Sequence, residues 1–246
     1  MSSKTLTLED HVQSIIDVGG PDGALKVRYH YNELQDILDK IHEIGALPDL
    51  RAYHFYNTKG IWKLPDGTKN YPLAREATGE LLDTLKEIYG WELEDVVKNI
   101  TSDRFKKEKI KFGATIEGMV RSVYEDSPYN AIRDYLQNHP DEKVRERFSK
   151  LRPYHFRWSQ RGTWKKKDGT KNYELAREAT GELIETLKER YGWNLEDIAE
   201  NITQDHFKTE KVIFGATLGG MLARVYDDSA RAAISDYLAH LKAKRK

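Results

Sequence analysis

The side chains best equipped for chemistry in this chain are two clusters of cations and aromatic rings. Between positions 157 and 177 stand Arg157, Arg161, Lys165, Lys166, Lys167, Lys171 and Arg177, opposed only by Asp168 and Glu174. The same window holds Trp158, Trp164 and Tyr173. A weaker version precedes it, with Lys59, Lys63, Lys69 and Arg75 around Trp62 and Tyr71. Cations mixed with rings suit a nucleic acid: the cations neutralise phosphates and release counterions, and the rings stack on bases. The competing reading is a solvated hairpin whose tryptophan folds onto a neighbouring helix, since large aromatics usually pack.

A second positive run, Arg104, Lys106, Lys107, Lys109 and Lys111, precedes an expected helix over 115–124. Two short helices, a turn and a third helix are the ingredients of helix-turn-helix recognition, in which one helix enters the major groove. The outward positions of that helix are Glu117, Arg121 and Ser122, and in a second copy Gly219, Ala223 and Arg224. Arg121 and Arg224 are thus the candidates for reading bases. Drift of exposed positions after duplication explains the same residues without any DNA.

Catalysis is poorly provided for. The candidates are His54 and His155 with Asp66 and Asp168, Glu76 and Glu178, or Glu80 and Glu182. A histidine near carboxylates can act as base or metal ligand. Yet there is no His-x-x-x-His, no phosphate-binding glycine loop and no Gly-x-Ser-x-Gly. The absence of cysteine excludes disulfides, thiolate ligands and thiol nucleophiles. A non-enzymatic protein with no metal and no cofactor is expected.

The elements that must position these residues are dictated by a repeat. Residues 66–136 align without a gap on 168–238, at an offset of 102, with 48 identities in 71 positions. Repeats decide a fold before any local reading does. Each copy opens with an aromatic segment around Asp66-Gly67 or Asp168-Gly169, a hairpin signal that suggests a small aromatic β-ribbon or a loop. The best-defined helix follows over 73–89, with Leu73, Ala77, Leu81, Leu85 and Ile88 on one face and Gly90 as its cap. Short helices are expected over 93–100, around Phe105, over 115–124, and from Ser127-Pro128 onward.

The leader carries helical patterns over 8–16 and 32–43, separated by glycines and a proline at 19–23. Leu8-Glu9-Asp10 to Ile15 matches Leu93-Glu94-Asp95 to Ile100 at five of eight positions, so the leader reads as a degenerate half repeat. The expected organisation is a helical leader (1–49), repeat unit 1 (50–138), a polar linker (139–150) that either stays irregular or continues as helix toward Leu151, and repeat unit 2 with a frayed basic tail (151–246). The fold class is mainly α: two tandem helical bundles, helix-turn-helix-like, each with its ribbon.

The series Phe105, Gly118-Met119, Ser127-Pro128-Tyr129 and Ala131-Ile132, following Ala74-Arg75-Glu76-Ala77-Thr78, resembles a helical repeat of uncharacterised proteins from Gram-positive bacteria and their phages. The second copy keeps Phe207, Gly220-Met221, Ser229, Ala233 and Ile234 but departs at Ala230 and Arg231. The resemblance implies a bacterial or phage origin and no particular activity.

Lysine plus arginine and aspartate plus glutamate both number 40 in 246 residues, so no global field attracts a polyanion. The N-terminus has no apolar signal core and no run approaches membrane-spanning length, which points to the cytoplasm and away from membranes. The leading expectation is a regulator that binds nucleic acid, most of all double-stranded DNA, through both repeats. Its phosphate contacts would come from Lys63, Lys69, Arg75, Arg161, Lys165, Lys166, Lys167, Lys171 and Arg177. The alternative is a protein-interaction or assembly module using the same paired surfaces, which the neutral total charge favours.

Overall fold

The computed structural model describes residues 7–18, 31–55, 60–156 and 162–244. The loop at 19–23, Lys59, Arg157, Trp158, the phosphate candidate Arg161 and the last two residues of the basic tail lie outside them. Among the described residues the chain is mainly helical, with two isolated β-bridges and no strands.

Two compact units emerge. The first comprises residues 1–92 and 102–149, and the second 93–101 and 150–246. In the first, α1 (Leu8–Val18) and α2 (Tyr31–Glu43) form the leader, followed by α3 (Tyr71–Tyr89), α5 (Ser102–Lys107), α6 (Glu117–Tyr124), α7 (Pro128–Gln137) and α8 (Glu142–Arg147). The second contains α4 (Leu93–Asn99), α9 (Tyr173–Tyr191), α10 (Leu195–Asn201), α11 (Gln204–Thr209), α12 (Gly219–Val225) and α13 (Ala230–Lys244).

The compact units differ from the sequence boundaries in two places. Helix α4, expected to complete the first repeat, groups with the second unit, where it packs on the 3-10 turn Ile213–Gly215. The expected linker takes its helical alternative and belongs to the first unit through residue 149. It folds as α8, capped by the Asp141 carboxylate on the Lys143 amide, and anchors its end with the fully buried Phe148.

Helix α3 starts where the Asn70 side chain accepts the Leu73 amide and stops where Gly90 turns left-handed, and α9 repeats both devices with Asn172 and Gly192. The buried stripe of α3, Ala74, Ala77, Leu81 and Leu85, is matched by the buried Met119, Val120, Val123 and Ile132 of α6 and α7, the helices that pack on it. In the second unit Ala176, Ala179, Leu183 and Leu187 meet Phe207, Met221, Leu222, Val225 and Ile234 in the same way. Helices α6 and α12 begin later than the spacing predicts. Ahead of each lies a 3-10 turn holding Phe112 or Phe214 at positive φ, and regular helix resumes only after Ile116 and Leu218.

Candidate functional site

The aromatic segments are hairpin turns closed by a single bridge. In the second unit Lys165 pairs with Lys171, and the Lys166 amide donates to the Thr170 carbonyl at 2.8 Å. The Asp168 carboxylate accepts from the Thr170 amide at 2.9 Å and its hydroxyl at 2.6 Å, which locks the tip while Gly169 supplies positive φ. Those bonds hold the carboxyl of Asp168 below the usual range. The first unit is built alike, with Lys63 bridged to Lys69 and Asp66 bonded to Thr68. Among the described residues no strand extends from either bridge.

Both tryptophans turn inward. Trp164 is buried and stacks on Tyr154 with ring centroids 5.6 Å apart, while Trp62 is half-buried and stacks on Tyr53 at 6.3 Å. Behind each ring lies a polar network. The Tyr53 hydroxyl donates to Glu80 at 2.7 Å, and His54 Nε2 donates to the same carboxylate at 3.0 Å. His54 Nδ1 accepts the Arg51 backbone amide at 3.0 Å, which fixes the tautomer. Tyr154, His155, Glu182 and Arg152 repeat the arrangement. Both ring nitrogens of each histidine are therefore committed, and neither ring reaches solvent. Glu76 and Glu178 are engaged by Arg51 and Arg152 at 2.6 Å. No group of three or more His, Asp or Glu that could hold a metal occurs among the described residues.

The expected phosphate contacts fall into two classes. Arg75 and Arg177 reach Asp134 and Asp236 at 3.5 and 3.2 Å, Lys69 lies 3.7 Å from Glu125, and Lys171 holds Asp227 at 3.0 Å. A phosphate would have to compete with those carboxylates. Lys63, Lys165, Lys166 and Lys167 project from the hairpin tips and are exposed. Of the base-reading candidates, Arg121 pairs with Glu117 on its own helix at 3.0 Å, and Arg224 is exposed on α12.

One groove gathers several of these residues. It lies between α9 and α13, has a volume of about 980 Å³, and is lined by Lys166, Lys171, Tyr173, Arg177, Tyr237, His240 and Lys244. Glu174, Glu178 and Asp236 line it as well. Arg152 neutralises Glu178 and Arg177 neutralises Asp236, so the groove keeps Lys166, Lys244 and one acid, Glu174. The hollow of the first unit that shares the counterpart residues Lys69, Tyr71 and Asp134 is smaller, about 370 Å³. Three substitutions accompany the difference. Leu64 and Pro65 stand where the second unit has Lys166 and Lys167, and Pro140 stands where α13 continues through Lys242. Proline lacks the amide a helix needs, and α7 ends at Gln137. The C-terminal basic run, expected to fray, is helical through Lys244, which brings Lys244 and His240 to the groove. Their signal was the helical spacing of Ile234, Leu238 and Leu241 leading into that run.

Charge follows the same divide. The second unit carries 20 lysines and arginines against 16 acids, and the first carries 20 against 24, which splits a neutral chain into units of +4 and −4.

Comparison with family models, curated proteins and solved structures returned no match. No helix among the described residues is long and apolar enough to cross a membrane.

Proposed function

We propose that the protein is a non-enzymatic nucleic-acid-binding protein made of two homologous helical bundles in tandem, in which the second bundle supplies the main phosphate-contacting surface. The observation that carries this reading is the meeting of Lys166, from a hairpin tip, with Lys244, from the end of α13, on one groove beside the exposed Tyr173. Cations from distant parts of the chain converge there without an equal number of acids to neutralise them. The expectation that both units contribute alike is narrowed, because the first unit is net acidic and lacks the counterparts of Lys166, Lys167 and Lys244.

The assembly-module reading draws support from the first unit. Ile88 is 56 % exposed at a position where the second unit has Arg190, and that unit's net charge repels phosphate.

The test is fluorescence anisotropy with labelled nucleic acid across a salt series, on the full chain and on a Lys165→Ala, Lys166→Ala, Lys167→Ala triple variant. Binding that weakens steeply with salt, with a shallower slope in the variant, is expected. No binding at low salt would discard the reading in favour of a protein partner.

A further inference from the structure

We propose that the groove between α9 and α13 receives a single nucleic-acid strand rather than a duplex, an inference that rests on the nucleic-acid reading above. A duplex is read by an element that protrudes into its major groove, about 12 Å wide, and carries donors and acceptors to base edges. The elements in that position here are poorly furnished. The outward face of α12 offers Gly219, Ala223 and Arg224, and two of these three have no hydrogen-bonding side chain. The side chain of Lys208 covers Gly219, so that a methyl group on the glycine would meet Lys208 Cγ at 3.0 Å. On α6, Glu117 and Arg121 satisfy each other, and the carboxylate would face the phosphate backbone.

The groove has the opposite character. It is concave, with one cation on each bounding element, Lys166 from the hairpin and Lys244 from α13. Tyr173, which lines the same groove, is 41 % exposed, and its ring is steadied edge-on by Tyr226 at a centroid distance of 5.8 Å. A positive groove with an aromatic platform is how proteins hold single strands without reading a sequence: the backbone follows the cations and a base stacks on the ring. The ion pairs of Lys171 and Arg177 stiffen the walls rather than fill the groove, and the buried Arg177 Nε has no acceptor among the described residues. Glu174, beside Tyr173, repels phosphate and leaves that side of the ring to a base.

The experiment uses the full chain with a labelled oligothymidine strand of about 12 nucleotides, within the range of known single-strand sites, and a duplex of equal length. Both are titrated across a salt series against wild type, Tyr173→Leu, Tyr173→Phe, a Lys166→Ala/Lys244→Ala double variant and Lys143→Ala. Circular dichroism checks that each variant folds. The strand should bind more tightly than the duplex at every salt concentration. Tyr173→Leu should weaken strand binding about tenfold with the salt slope unchanged, while Tyr173→Phe keeps the affinity. The double lysine variant should flatten the slope by about 1.4, as expected for two lost phosphate contacts on a single strand, and Lys143→Ala, an exposed lysine of α8, should change neither. Tighter duplex binding that ignores Tyr173→Leu would overturn the single-strand inference and leave the nucleic-acid reading standing. Failure of both probes to bind at low salt would overturn the two together.

Discussion

Gly79 of α3 carries no side chain where Tyr135 of α7 crosses it: a methyl group on the glycine would stand 2.7 Å from Tyr135 Cε2. The counterpart crossing, Gly181 under Tyr237, leaves 3.1 Å. Alanine favours a helix over glycine by about 1 kcal/mol, and overpacking costs about 1–3 kcal/mol. At Gly79 the ring must swing away, so Gly79→Ala should destabilise the protein by about 1 kcal/mol net. At Gly181 a shift of a few tenths of an ångström suffices, and Gly181→Ala should be close to neutral. Urea denaturation of the two variants reads the order. Equal costs would mean that the two crossings are not packed differently.

Val97 on α4 is fully buried, whereas its repeat counterpart Ala199 on α10 is exposed. The difference follows the company each helix keeps, for α4 packs on the turn at Ile213–Gly215 and α10 has no counterpart contact of that extent. Val97→Ala should therefore cost about 2 kcal/mol, while Ala199→Ser should stay within about 0.5 kcal/mol. A neutral Val97→Ala would mean that α4 is not held as the structure has it.

How far the sequence could reach is visible in these pairs. Periodicity located α3 and α9 to within two residues, because a long apolar stripe with an asparagine at one end and a glycine at the other admits few alternatives. Identity over 71 positions could not say which unit receives α4, since packing partners distant in sequence leave no periodic mark. Phe148 was legible as apolar, but a lone ring in a charged segment gave no reason to expect full burial. The cations were found by composition alone. Their sorting into paired residues, such as Arg177 with Asp236 at a separation of 59, and residues facing a groove depends on tertiary neighbours. The groove itself was invisible for the same reason: Lys166 and Lys244 belong to elements at opposite ends of the second repeat.

Trp164 and Trp62 occupy equivalent positions with unequal burial, 3 % exposed for the former and intermediate for the latter. Replacing Trp164 by leucine removes its stacking on Tyr154 and leaves a void in the second core. A loss of about 3 kcal/mol is expected there, and roughly half of that for Trp62→Leu, since hydrophobic stabilisation scales with the area removed from water. Thermal unfolding followed by near-ultraviolet circular dichroism distinguishes the two. The larger loss from Trp62→Leu would contradict the burial pattern.

Glu80 ties together Tyr53, His54 and the Lys111 amide, and this network gives stability a dependence on acid. Burial alone would raise its carboxyl, but the hydrogen bonds it accepts from His54, Tyr53 and the Lys111 amide outweigh it and hold the group below its ordinary value. A carboxyl lowered on folding contributes stability that is present above its unfolded value and disappears as pH falls through the folded one. The contribution is therefore in place at neutral pH and is lost below about pH 4.3, the ordinary glutamate value. Glu80→Gln should cost about 1.5–3 kcal/mol at neutral pH, the worth of bonds to a charged acceptor. The variant should also lose less stability than wild type on acidification, although the exposed Asp66 and Asp168, both lowered by their threonine partners, titrate in each. Urea midpoints from pH 7 down to pH 3 measure the difference, and parallel curves for the two proteins would show that Glu80 is not the group responsible.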